Sequence, residues 1–285
     1  MKRDIQFIIA VLVLTPLAFM AAVFWRSEQY LRSFSLPSAF TAAAPPIAAV
    51  LAQGQHVALT RGCYSCHGER LQGAVKPWAG RAVAVNLADY VRRYPIAIFE
   101  RALRHGIGSN GRALYSMPSF AYTRLRDDEV AALYAWIGQI PVASDPLPGP
   151  RLDLPTRFAL ATGRDVAVPH AVALVPGPRW QGHSDPAVRR GEHLAMTICS
   201  ECHGLSLKAD YPWASDEGPG LPPPLTIAAA GYDKAAFVRL MRTGKGTGDR
   251  DLGLMSQTSR SRFVHWTDAE IDDLFAFLTA FGEKG

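Results

Sequence analysis

The residues best equipped for chemistry in this 285-residue chain are Cys63-Tyr-Ser-Cys66-His67 and Cys199-Ser-Glu-Cys202-His203. Two cysteines three apart on a helical turn put both thiols on one face, and the following histidine projects beside them. That set suits covalent attachment of a haem: the thiols add to two vinyl groups as thioethers, and the imidazole takes the iron from the same side. Zinc is the competing reading, but neither motif has a second Cys pair nearby to close a tetrahedral site. A redox dithiol requires a βαβ context that the sequence does not offer. A structural disulfide would leave both adjacent histidines unexplained. The two motifs use all four cysteines of the chain.

Both motifs lie inside an internal repeat. Gly54 to Gly68 matches Gly191 to Gly204 with one residue deleted before the second motif, so that Thr60-Arg-Gly-Cys63 becomes Thr197-Ile-Cys199. Pro77-Trp78 has its partner in Pro212-Trp213. Tyr94, Phe99, Arg101, Arg104 and Gly106 recur as Tyr232, Phe237, Arg239, Arg242 and Gly244, and Leu114 and Met117 as Leu252 and Met255, all displaced by 138 positions. Glu129, Val130, Leu133 and Tyr134 correspond to Glu270, Ile271, Leu274 and Phe275. Two copies of one domain follow, over residues 54–141 and 186–285.

The elements that position these residues read as helices. An Ala-rich helical pattern leads into each cysteine motif, residues 94–104 and 232–242 carry apolar positions at three- and four-residue steps, and each copy closes on an amphipathic helix. The last of these opens with the capping box Thr267-Asp-Ala-Glu270. Asp127 is placed as the N-cap of its counterpart. Strand signals are few, and the glycine-rich stretches 106–111 and 244–248 read as loops. Residues 142–185 hold seven prolines and read as an extended, semi-rigid connector with one short helix near Thr156 to Ala161. At the N-terminus, Ile5 to Trp25 is apolar apart from Gln6, Thr15 and Pro16. At about 1.5 Å per residue it spans roughly 31 Å, the hydrocarbon thickness of a bilayer. It exceeds the apolar core of a cleavable signal, and the nearest small-x-small site, Ala42 to Ala44, lies beyond the charged stretch 26–32. Residues 1–26 are therefore an uncleaved anchor and residues 27–53 a tether.

The chain resembles membrane-anchored dihaem cytochromes c built from two class I cytochrome c domains, similar to the cytochrome subunits of respiratory oxidases and membrane dehydrogenases. The resemblance covers residues 54–141 and 186–285 and implies an all-α fold around two covalently bound haems c. It implies attachment at Cys63 and Cys66 and at Cys199 and Cys202, with His67 and His203 as proximal iron ligands. It also implies a distal Met on a loop before each last helix, the place held by Met117 in Leu114-Tyr-Ser-Met117-Pro118 and by Met255 in Leu252-Gly-Leu-Met255. His105 and His265 are the rival sixth ligands. Met196 lies on the helix of the second motif itself, and Met241 aligns with Leu103, which cannot be a ligand. The second copy departs from the family pattern in lacking Pro after its Met. A backbone carbonyl orients the proximal His in this family; Pro222 to Pro224 match that segment in the second copy, whereas residues 83–86 of the first offer no clear match. His56 and His193 repeat each other and read as packing or surface residues, and Trp78 and Trp213 as pocket lining or aromatic core.

An iron with both axial positions filled passes electrons without room for bond chemistry, and thioether sulfur favours Fe(II). The expected function is single-electron relay between a redox donor and acceptor, within or beside a membrane oxidoreductase complex and without catalysis by this chain. A dihaem peroxidase with one open iron is the alternative reading. Haem is attached to this motif outside the cytoplasm, which points to the periplasmic side of a bacterial inner membrane, with residues 5–25 in the bilayer. The first copy has 11 basic against 6 acidic side chains and the second 11 against 13. Such an asymmetry reads either as ordinary solvated surface or as a means of steering different partners to the two ends. No basic run interleaved with aromatics points to nucleic acid.

Overall fold

The computed structural model describes residues 2–143, 146–211 and 222–284. Helix α1, Lys2–Leu31, is followed by α2 (Ala48–Thr60), the motif helix α3 (Cys63–His67), and the strands β1 (Ala74–Lys76) and β2 (Gly80–Ala84). The helices α4 (Leu87–Arg93), α5 (Ile96–His105) and α6 (Asp127–Ile137) complete the first repeat. Then come β3 (Arg151–Leu152), α7 (Leu154–Thr162) and α8 (Val168–Leu174). The second repeat runs through α9 (Pro186–Met196), the motif helix α10 (Ser200–His203), α11 (Leu225–Ala228), α12 (Lys234–Thr243), α13 (Leu254–Ser261) and α14 (Asp268–Lys284). The fold is mainly helical, as expected from the sequence. The three short strands form one small antiparallel sheet in the order β1-β2-β3.

Local signals explain where the helices begin. Asn86, Asp153 and Asp233 each accept a backbone N–H from the first turn of α4, α7 and α12. Thr267 and Glu270 form the expected reciprocal box: the Glu270 N–H donates to Thr267 Oγ1 at 3.2 Å and the Thr267 N–H to Glu270 Oε2 at 2.8 Å. In the first repeat the cap differs from expectation. Asp127 is already inside α6, and Glu129 satisfies the end by accepting the Arg126 N–H at 2.9 Å.

Each repeat is built on a crossing of its first and last long helices, α2 on α6 and α9 on α14. Glycine makes both crossings possible: a Cβ on Gly54 would lie 2.1 Å from the Ala132 carbonyl oxygen, and one on Gly191 would lie 2.0 Å from that of Asp273. The first core gathers Val57, Leu71, Phe99, Leu103, Leu133 and Ile137, and the second Leu194, Phe237, Leu240, Ile271, Leu274 and Phe277. The equivalent loops are closed by equivalent single bridges, Ile107 with Ala113 and Lys245 with Asp251.

The connector carries the short helix expected near Thr156 to Ala161, as α7, and a second, α8, where extended chain was expected. Its Asp and Pro residues start helices rather than interrupt them: Asp153 caps α7, and Pro155 and Pro169 occupy first-turn positions that need no N–H donor. Helix α7 packs along α1, and Ala171 of α8 is buried in the first core. Helix α1 changes character along its length. Its N-terminal side chains, Ile5, Phe7, Leu12, Leu14 and Leu17 among them, are exposed, whereas Val23, Ser27 and Leu31 are buried. Leu31 sits with Ala113, Leu160 and Ala167 in a third small core, and its carbonyl accepts the Ala113 N–H at 2.7 Å. Glu28 accepts from Arg112 at 3.0 Å and pairs with Arg157 at 3.8 Å.

Candidate haem sites and the interface between them

Gly62 in the left-handed conformation, φ 78°, turns the chain from α2 into the one-and-a-half turns of α3 that carry Cys63, Cys66 and His67. No disulfide joins the four cysteines. Burial raises each of them, Cys63 and Cys199 to about 12 and Cys202 to about 11, so they are neutral at physiological pH. The His67 imidazole is buried, which pushes it below its ordinary value against the opposing pull of its one hydrogen bond. That bond runs from Nδ1 to the Val85 carbonyl at 2.7 Å. The neutral ring therefore carries its proton on Nδ1 and leaves the Nε2 lone pair available to a metal. Residues 83–86 thus do contain the orienting carbonyl that their sequence does not advertise.

His67 shares a cavity with Cys63, Cys66 and Met117. Its apolar wall is Leu87, Phe99, Leu103, Leu133 and Ile137, and its volume before any ligand is admitted is about 230 Å³. One margin is polar. The buried Tyr90 hydroxyl lies on it. Arg101 Nη2 donates to the carbonyls of Gly108 and Ser109, which lie on the same margin. Apolar walls, two neutral thiols, a free imidazole nitrogen, a thioether and a hydroxyl at one polar edge fit a haem with its carboxylates. Met117 precedes Pro118 and a 3-10 turn over Ser119–Ala121. His105 is engaged elsewhere, by Glu100 at 3.1 Å.

The second repeat repeats the hydrogen bond of its motif histidine, His203. Nδ1 donates to the Pro223 carbonyl at 2.7 Å, and burial again lowers the imidazole. Tyr211 adds a tie to the motif helix, donating to the Cys202 carbonyl at 2.6 Å. Met255 is half-buried against the second core on the first turn of α13, not in a loop. Its neighbourhood therefore differs from that of Met117, as the missing proline foreshadows. His265 is exposed on the 3-10 turn Phe263–His265. Trp213 lies outside the described residues, and Trp78 is 45% exposed at the β1–β2 turn, away from the cavity.

Several features have no local sequence signature. Leu71 and Leu207 are buried at φ 55° and 65°, and each hands its carbonyl to the first residue of the following helix, Leu87 or Leu225. A left-handed leucine costs about 1–2 kcal/mol. It is held in place because Leu71 and Leu207 fill the two cores. His56 and His193 are neither packing nor free surface residues. Each pairs across the junction of the repeats, His56 with Glu270 and His193 with Glu129, both at 2.8 Å. They line a polar cleft with Arg61, Arg124 and Glu192, and Arg124 pairs with Glu192 at 3.3 Å. Leu205 of the second repeat is buried in the first core. The two motif helices also meet through Arg262, which donates to Glu201 at 2.6 Å and to Ser65 at 3.3 Å.

The cytochrome c family model matches residues 51–141 and 188–281. Among curated proteins the chain is similar to the fructose dehydrogenase cytochrome subunit of Gluconobacter japonicus, with 26% identity over 82% of this chain and 53% of that protein. It is 32% identical to the cytochrome c subunit of the quinone alcohol dehydrogenase of Gluconobacter oxydans, over 56% of this chain and 37% of that one. With the gluconate 2-dehydrogenase cytochrome c subunit of Pantoea cypripedii the figures are 30% identity, 54% and 38%. The matches span about half the length of these relatives, or less.

Proposed function

The chain belongs to the cytochrome c family, and from that premise we propose that it binds two haems c and relays single electrons as a non-catalytic subunit of a membrane dehydrogenase complex. Cys63 and Cys66 hold the first haem and Cys199 and Cys202 the second. His67 with Met117, and His203 with Met255, would ligate the two irons. The observation that carries this reading is the repeated 2.7 Å hydrogen bond from Nδ1 of each motif histidine to a backbone carbonyl, Val85 or Pro223.

A haem held this way supplies an iron that exchanges one electron between Fe(III) and Fe(II). The chain's own residues set the conditions. Val85 and Pro223 fix the ring orientation and tautomer and make Nε2 a better donor. Leu87, Phe99, Leu133 and Ile137 exclude water from the first site. Met117 and Met255 supply soft, neutral sulfur that favours the reduced iron and fills the position a substrate would need. Oxidation of substrate therefore falls to another subunit.

Helix α1 supports an anchored rather than a freely diffusing role. Residues 5–25 are the bilayer segment, with residues 54–141 and 186–285 as haem domains on the periplasmic side of a bacterial inner membrane. The helix is long and apolar enough to cross a membrane. Its last turns are built into the protein through Leu31, Glu28 and Arg157, whereas a removable signal has no need of such contacts. The relatives named as cytochrome subunits of fructose, alcohol and gluconate dehydrogenases favour a dehydrogenase as the fixed partner.

The test is haem stoichiometry and carbon monoxide binding on the detergent-solubilised protein expressed with haem-attachment machinery. Two covalent haems per chain that both ignore the gas when reduced support the reading. One haem alone overturns the count of two, and a haem that binds the gas redirects its own site toward peroxide or gas chemistry. Co-purification of a dehydrogenase at fixed stoichiometry in mild detergent tests the partner.

A further inference from the structure

The repeat is interrupted at one informative place. The first copy has one residue more before its motif, and that extra turn contains Gly62. A Cβ at Gly62 would lie 2.2 Å from Cζ and 2.3 Å from Nε of Arg262, a residue of the second repeat. The guanidinium thus lies directly on the Gly62 backbone. It is held by Glu201, which stands between the two cysteines of the second motif, and reaches Ser65, which stands between those of the first. Arg262 and Glu201 both line the cavity that contains Cys63, Cys66, His67 and Met117. The other charged pairs across the junction line the separate polar cleft instead.

We propose that Arg262 is a positioning residue supplied by the second repeat to the first haem site, closing it on its interdomain side and raising its affinity for an electron. The inference rests on the haem reading given above. Guanidinium stays protonated at any working pH and is only weakly hydrated, so it can lie at a buried margin without losing its charge. A positive charge beside an iron centre opposes the further positive charge of Fe(III), and low surrounding polarity strengthens the effect. Glu201 fixes the guanidinium by a charge-assisted bond and offsets part of its field. Because Arg262 and Gly62 belong to different repeats, the first site acquires its full potential only when the repeats are docked.

The test is a redox titration of the full-length, detergent-solubilised protein, with haem content measured on each sample. The wave of the first site is identified as the one that Met117→Ala moves. Arg262→Gln should lower the reduced-to-oxidised ratio of that site at fixed solution potential about fivefold, which is about 40 mV at 59 mV per decade for one electron. Arg262→Lys, which keeps the charge, should stay within about twofold of wild type. Glu201→Gln, which leaves the guanidinium unopposed, should move the first wave upward. Opposite signs for the two neutralising changes are what a merely structural bridge does not produce. Shifts of the same sign in Arg262→Gln and Glu201→Gln, or an unmoved first wave, overturn the proposal while leaving the haem reading intact. Absence of attached haem, or a Met117→Ala protein in which neither wave moves, overturns the haem or ligand reading and the proposal with it.

Discussion

His193 of the second repeat stands 2.8 Å from Glu129 of the first, and the equivalent residues of the opposite copies, His56 and Glu270, meet at the same distance. A patch that recognises its own duplicate gives this reciprocal pairing, as in a two-fold dimer interface, but within one chain. Each carboxylate does two jobs, capping the last helix of its own repeat while receiving the histidine of the other.

The reciprocal pairs make docking of the repeats sensitive to acid. Burial alone would raise Glu129, but hydrogen bonding and charge from His193, with Arg61, hold it below the usual carboxylate range. Glu270 is likewise lowered, with burial opposed by His56 and the Thr267 amide. A carboxyl depressed on folding contributes stability that is complete above its unfolded value of about 4.3 and lost as pH falls through the folded value. Hydrogen-exchange protection of α2 and α9, taken relative to the intrinsic amide rate at each pH, should therefore hold from pH 7 to about 5 and fall on further acidification. Glu129→Gln should weaken docking by about 2 kcal/mol at pH 7, read as faster exchange in both helices.

Loss of either thioether opens one iron and leaves the other closed. Met117→Ala and Met255→Ala should each bind about one equivalent of carbon monoxide when reduced, and the double variant about two. The absorbance change on gassing measures this directly. A Met255→Ala spectrum identical to wild type would remove that residue from the ligand set.

Replacing both cysteines of one motif should halve the covalent haem. Cys63→Ala with Cys66→Ala removes the first attachment, and Cys199→Ala with Cys202→Ala the second. Haem staining and intact mass of the denatured chain provide the count.

The helix crossings tolerate no side chain. Gly54→Ala would force its methyl onto the Ala132 carbonyl and Gly191→Ala onto that of Asp273. Overpacking of this kind destabilises by about 1–3 kcal/mol, a loss of several degrees in the melting temperature of the affected repeat.

The joint between α1 and the first repeat can be loosened without touching either motif. Leu31 is fully buried, and Leu31→Ala should cost about 2–4 kcal/mol locally. Limited proteolysis within residues 32–46 should then accelerate, while haem content stays at the wild-type level.

Much of the fold was legible because its signals are contiguous. The doubled Cys-x-x-Cys-His string, the 138-residue offset that carries Met117 onto Met255, and the Thr267–Glu270 box are each written in neighbouring or evenly displaced residues. The Val85 carbonyl was not legible, because every residue has one and only the folded path decides which meets His67. The connector was legible in part. Its short helix near Thr156 to Ala161 is α7, but the second helix, with Pro169 in its first turn, and the apolar surfaces that Leu160 and Ala171 cover were not.

The sequence by itself determined that the chain is a tandem repeat of one helical cytochrome c unit and which side chains are candidates to hold its haems, since thiol and imidazole at fixed spacing impose their own chemistry. Only the tertiary structure decided how the two units face each other. His56 and Glu270 are 214 positions apart, and Arg262 lies 200 residues beyond Gly62. Pairings over such separations depend on complementary charge and shape between surfaces that exist only once both cores have formed.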